Sequence, residues 1–88
     1  MDGIVYILQN TKNNRYYIGS TLNINKRLLE HNSGRVKSTR YGIPWNLKFY
    51  KRYRTLTLAR QVEYQLKRQK SKRLIDRIIL DQDIHMGS

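Results

Sequence analysis

Two short apolar runs open the chain, Ile4-Val5-Tyr6-Ile7-Leu8 and Tyr16-Tyr17-Ile18-Gly19, with the polar, turn-forming stretch Gln9–Arg15 between them. β-Branched and aromatic runs flanking such a stretch predict a β-hairpin that carries Tyr6 and Tyr17 on adjacent strands. Next, Ser20-Thr21-Leu22-Asn23 offers helix N-cap chemistry, and residues 24–32 read as a helix with Ile24, Leu28 and Leu29 as apolar positions. Ser33-Gly34 ends it, glycine being favoured just past a helix terminus. Beyond a basic loop, Trp45, Leu47 and Phe49 alternate with more polar residues, the pattern of a half-buried third strand. Thr55-Leu56-Thr57 leads into a long helix through about Lys70, with Ala59, Val62 and Leu66 on one stripe. Ser71 can cap a last helix carrying Leu74, Ile75, Ile78 and Ile79. The order β-β-α-β-α-α defines an α+β domain, a small three-stranded antiparallel sheet flanked by helices.

One domain over residues 1–80 accounts for the chain, with 81–88 as a tail lacking periodicity. The last four residues, His85 to Ser88, resemble a cloning remnant, so His85 is set aside. With no cysteine, disulfides and cysteine-based zinc sites are excluded. No apolar run approaches the ~18–20 residues of a membrane span, and no signal peptide is visible, so a cytoplasmic location is expected.

Charge narrows the class of partner. The net charge is +12, and from His31 to Ile75 the only acid is Glu63, among thirteen Lys and Arg. A field of that sign attracts phosphate backbones. Nucleic acid is therefore the expected partner, with no membrane and no small-molecule cofactor; oligomeric state is not legible.

Several polar residues interrupt the apolar stripes. Arg27 and His31 lie within about 60° of Ile24 at ~100° per residue, one above the other at i and i+4. Glu63 falls between Ala59 and Leu66 on the long helix, where a lone carboxylate is costly to bury unless paired, hydrogen-bonded or metal-bound. Glu30 points away from its helix's apolar face and reads as a surface residue. Each interruption has a structural alternative: an ion pair of Glu63 with Arg27, a neutral histidine at a helix end, core tyrosines with satisfied hydroxyls. Their convergence in a phosphate-attracting domain favours chemistry.

These residues resemble the GIY-YIG nuclease superfamily. The resemblance is carried by Val5-Tyr6-Ile7, Tyr17-Ile18-Gly19-Ser20-Thr21, Arg27, His31-Asn32-Ser33-Gly34 and Ala59-x-x-x-Glu63, spanning about Gly3 to Leu80. It is closest in pattern to the small stand-alone bacterial members. It implies metal-dependent phosphodiester hydrolysis, with Glu63 as the metal ligand, Arg27 as the phosphate-binding group, Tyr6 and Tyr17 as the motif tyrosines, His31 assisting proton transfer and Gly19 allowing close packing. Two positions depart from the pattern. Gly3 stands one residue before the expected glycine, and Ser20 stands where several members carry lysine, which shifts weight onto His31.

A single central carboxylate suits one ion, Mg²⁺ or Mn²⁺, rather than a two-metal site. Tyr6 is the first choice to activate water, provided its pKa is lowered from ~10, ahead of Tyr17 and His31. Lys37, Arg40, Lys48, Lys51, Arg52 and Arg54 are expected to track the backbone beside the site, and Tyr41 to stack on bases. The leading expectation is a DNA endonuclease of low sequence specificity. The alternative is a non-catalytic basic nucleic-acid-binding module on the same fold.

Overall fold

The computed structural model describes residues 2–84. Strands β1 (Gly3–Asn10), β2 (Tyr16–Thr21) and β3 (Trp45–Tyr53) form one antiparallel sheet in the order β2-β1-β3. Helix α1 (Ile24–Asn32) follows β2, while α2 (Leu56–Gln69) and α3 (Lys72–Asp81) follow β3. The class and order are those expected. Among the described residues no helix is long and apolar enough to cross a membrane.

All three helix starts use the side-chain caps legible in the sequence. Asn23, Thr55 and Ser71 accept from the backbone N–H of Lys26, Leu58 and Leu74, satisfying donors that a helix start leaves free. The strands run longer than their apolar cores. β1 continues to Asn10, a polar residue whose buried Oδ1 accepts from Asn13 N and Arg15 N at 3.2 Å each. That satisfied amide lets the ladder extend into a segment that reads as turn.

β1 is central and buried on both faces. Val5 and Ile7 pack with Phe49, Ala59, Leu66, Ile75 and Ile78 beneath α2 and α3. Tyr6 and Leu8 pack with Trp45, Ile24 and Leu28 beneath α1. Each fully buried aliphatic side chain contributes roughly 1.5–3 kcal/mol, so the double-sided strand anchors the fold.

Two expectations change. Leu29 is 72% exposed; the inward face of α1 is Ile24, Arg27, Leu28 and His31, an i, i+3, i+4, i+7 set in which a histidine takes a core position. The tail expected from residue 81 is part of the fold through Ile84. Asp81 ends α3, Asp83 accepts from Lys51 Nζ at 2.6 Å, and Ile84 is buried in the α2–α3 core. His85 lies outside the described residues.

Candidate active site

Directly opposed residues of an antiparallel pair share a face. Tyr6 lies opposite Gly19, and Leu8 opposite Tyr17, so both tyrosines are on the α1 face. Tyr6 extends its ring across Gly19 toward the free edge of β2. A Cβ on Gly19 would stand 2.4 Å from the Tyr6 hydroxyl oxygen and 2.5 Å from Cζ. Only glycine leaves room for the ring there. Gly3 does a similar service elsewhere, since a Cβ would stand 2.5 Å from Leu56 Cα at the start of α2.

The Tyr6 hydroxyl meets His31 Nε2 at 2.8 Å, and His31 Nδ1 meets Thr39 Oγ1 at 2.8 Å. The Thr39 hydroxyl also lies 3.4 Å from Val36 O; in the tautomer where it donates there, it receives the Nδ1 hydrogen of His31. Nε2 is then the acceptor for the Tyr6 O–H. Trp45 secures the loop behind this chain, donating Nε1–H to Thr39 O at 2.8 Å. Asn32 holds the Trp45 backbone, accepting from its N–H at 2.7 Å and donating to its carbonyl at 2.9 Å.

This half of the site is closely packed. Tyr6, His31 and Thr39 are all buried, and none of their polar atoms lacks a partner. Burial pushes the Tyr6 phenol up to about 12, against a lowering from its hydrogen bond with Arg27. Burial, then the charge of Arg27, pushes His31 down to about 4. The pair therefore rests as phenol and neutral imidazole. The direction for Tyr6 is opposite to the one a free-standing base requires, and desolvation outweighs the cation beside it. Arg27 in turn is held more firmly protonated, chiefly by its bond to Tyr6.

Glu63 approaches from the other face of the sheet. Ser20 lies opposite Val5, so it points toward α2. Ser20 Oγ donates to Glu63 Oε1 at 2.5 Å, and Lys67 Nζ donates to Glu63 Oε2 at 2.6 Å. Lys67 also lies 5.7 Å from the centroid of the Tyr17 ring, and Tyr17 stacks edge-on against His31 at 4.9 Å between centroids. The two halves thus meet at the β2 edge, close enough for the Glu63 charge to act on the Tyr6 proton. An open groove of about 400 Å³ runs beside Ser20 and Arg27, bounded by Lys26, Glu30 and Arg60.

Tyr6, Tyr17, Arg27, His31, Glu63 and Gly19 all come together at this edge. The basic residues expected beside it do not. Lys48, Lys51 and Arg52 lie on β3, the opposite edge of the sheet, with Arg54 just after it. Lys51 is bonded to Asp83 beneath α3, which raises its pKa. Lys37, Arg40 and the 81%-exposed Tyr41 belong to the loop that backs His31 through Thr39. Four residues that contact these side chains or back them were not among the candidates: Thr39, Trp45, Lys67 and Glu30. Glu30, read as a plain surface residue, accepts from Arg27 Nη1 at 3.3 Å. Lys67 at i+4 from Glu63, and Glu30 at i+3 from Arg27, were accessible from helix spacing. Thr39 and Trp45 act across a loop and gave no such signal.

Glu63 offers hard oxygen chemistry. Among the described residues no three His, Cys, Asp or Glu gather into a metal cage. One carboxylate beside a hydroxyl fits a cation that keeps most of its waters, as Mg²⁺ does. Lys67 holds one carboxylate oxygen, and its side chain is half exposed.

The family model for the GIY-YIG catalytic domain matches residues 2–76. The chain therefore belongs to the GIY-YIG family, whose members are nucleases that act on DNA, generally with a divalent metal. The solution NMR structure of the UPF0213 protein from Bacillus halodurans is similar, at 30% sequence identity over 90% of this chain and 83% of that one, with a TM-score of 0.56. No curated protein matches.

Proposed function

We propose that this protein is a divalent-metal-dependent DNA endonuclease whose site lies at the β2 edge and uses one metal ion. The observation that carries the reading is the meeting there of a buried Tyr6–His31 proton path with the Glu63 carboxylate, joined by Arg27 and Tyr17. A binding module has no use for a carboxylate held toward a phosphate-attracting surface.

Glu63, oriented by Ser20, would hold the ion. Bound there, such an ion would supply Lewis-acid polarisation of the phosphoryl oxygen and charge stabilisation for the leaving oxygen. Arg27 binds a non-bridging phosphate oxygen and offsets the charge that grows as water attacks. Glu30 keeps the guanidinium beside Tyr6. Tyr6 takes a proton from the attacking water as its own O–H proton passes to His31 Nε2. Thr39 keeps the Nδ1 hydrogen engaged, so Nε2 stays free to accept it. Tyr17 covers His31 and positions the water. With so little surface near the edge to read bases, sequence specificity is low.

The test is incubation of supercoiled plasmid and labelled branched DNA with Mg²⁺ or Mn²⁺, with EDTA as the control. Nicking that requires the metal and disappears in Glu63→Gln supports the enzyme. DNA binding without any such cutting returns the chain to the binding-module reading.

A further inference from the structure

A second groove opens on the other side of the Glu63–Lys67 pair. It has a volume of about 400 Å³ and lies between the β1–β2 turn and the α2–α3 junction. Arg15, Lys67, Lys70 and Lys72 line it together with Ser71, and none of its lining residues is acidic. Lys67 is shared, since it lines this groove while bonding Glu63.

Lys70 ends α2 with φ +47°, a left-handed conformation in which glycine or asparagine is favoured. Lysine there adds a cation at the α2 C-terminus, beside the groove.

We infer that this groove binds the DNA phosphate backbone, so that the bound strand runs along the β2–α2 seam from Arg60 past Glu63 to Lys70. The inference rests on the nuclease reading and deepens it. Arg60 borders the first groove, Glu63 lies between the two, and Lys70 borders the second. From Arg60 to Lys70 the helix rises about 15 Å, which matches four to five base steps of about 3.4 Å. The cations on β3, at the far edge of the sheet, lie off this path.

Binding of a fluorescein-labelled 20-base-pair duplex tests it, measured by anisotropy across a salt series in a Glu63→Gln background, so that cleavage plays no part. Lys70→Asn with Lys72→Ala should weaken binding roughly tenfold near 0.1 M salt and reduce the slope of log K against log salt by about 2. Lys48→Ala with Arg54→Ala should change affinity less than the seam pair does. Lys70→Asn alone should keep or raise Tm, which separates a lost contact from a damaged fold. An unchanged affinity and slope for the seam pair, or a larger loss for the β3 pair, overturns the groove while leaving the cleavage site standing. Failure of the parent protein to bind duplex at low salt overturns both readings.

Discussion

The two halves of the site sit on opposite faces of one sheet and handle charge in opposite ways. Under α1, Tyr6, His31 and Thr39 are buried, neutral and linked by directional hydrogen bonds. Above the β2 edge, Glu63 accepts from Ser20 and is ion-paired with a half-exposed lysine. The first arrangement fixes where a proton can go, because every acceptor and donor is committed. The second leaves a carboxylate whose lysine partner is reached by solvent, which screens the pair and suits a ligand that comes and goes. The difference follows from desolvation: burial that makes a phenol–imidazole pair rigid would make a lone carboxylate prohibitively costly.

That contrast is open to attack through stability. His31→Ala should have the largest effect, about 3 kcal/mol of destabilisation in urea unfolding, because it leaves a cavity and unpartnered hydroxyls on Tyr6 and Thr39. A change below about 1 kcal/mol would mean the α1 half is wet.

The acid limb follows at similar size. The folded pKa of His31, about 4, lies below its unfolded value of about 6.5. The unfolded chain takes up a proton that the folded chain refuses. His31 therefore supports stability fully above pH 6.5 and loses that contribution as pH falls toward 4, roughly 3 kcal/mol in all. His31→Gln should flatten this part of the pH dependence.

The alkaline limb is slightly smaller. The Tyr6 phenol keeps its proton to about 12 in the fold against about 10 unfolded. Its contribution is intact below pH 10 and is lost by about pH 12, roughly 2–3 kcal/mol. Tyr6→Phe should remove that loss when unfolding is compared at pH 9 and 11.5. The smallest effect belongs to Lys67→Ala, which breaks a half-exposed ion pair. It should shift stability by under about 1 kcal/mol, and a larger shift would show that the Glu63 half is as rigid as the other.

Much of the fold was legible because its signals were local. Asn23, Thr55 and Ser71 cap their helices, and the alternation at Trp45, Leu47 and Phe49 marks β3. The candidate residues were legible as violations of periodicity, His31 and Arg27 above all. Two things were not. Strand order puts β3 at the far edge, so cations next to each other in sequence were expected beside a site from which β1 separates them. Nor does periodicity say which face of the sheet a helix covers, so the approach of Glu63 and Tyr6 from opposite faces, around the edge of β2, gave no signal in the sequence. The environment of Tyr6 depends on burial, and its shift upward rather than downward follows from packing that no single segment encodes.

The most direct test is single-turnover cleavage of a labelled duplex by wild type and Glu63→Gln, with DNA affinity and Tm measured on the same samples. The account predicts a rate loss of at least about 100-fold for Glu63→Gln, with affinity no weaker than wild type and Tm nearly unchanged. Cleavage within a few-fold of wild type, or a loss that merely tracks a fall in affinity or Tm, would contradict a catalytic carboxylate at the β2 edge.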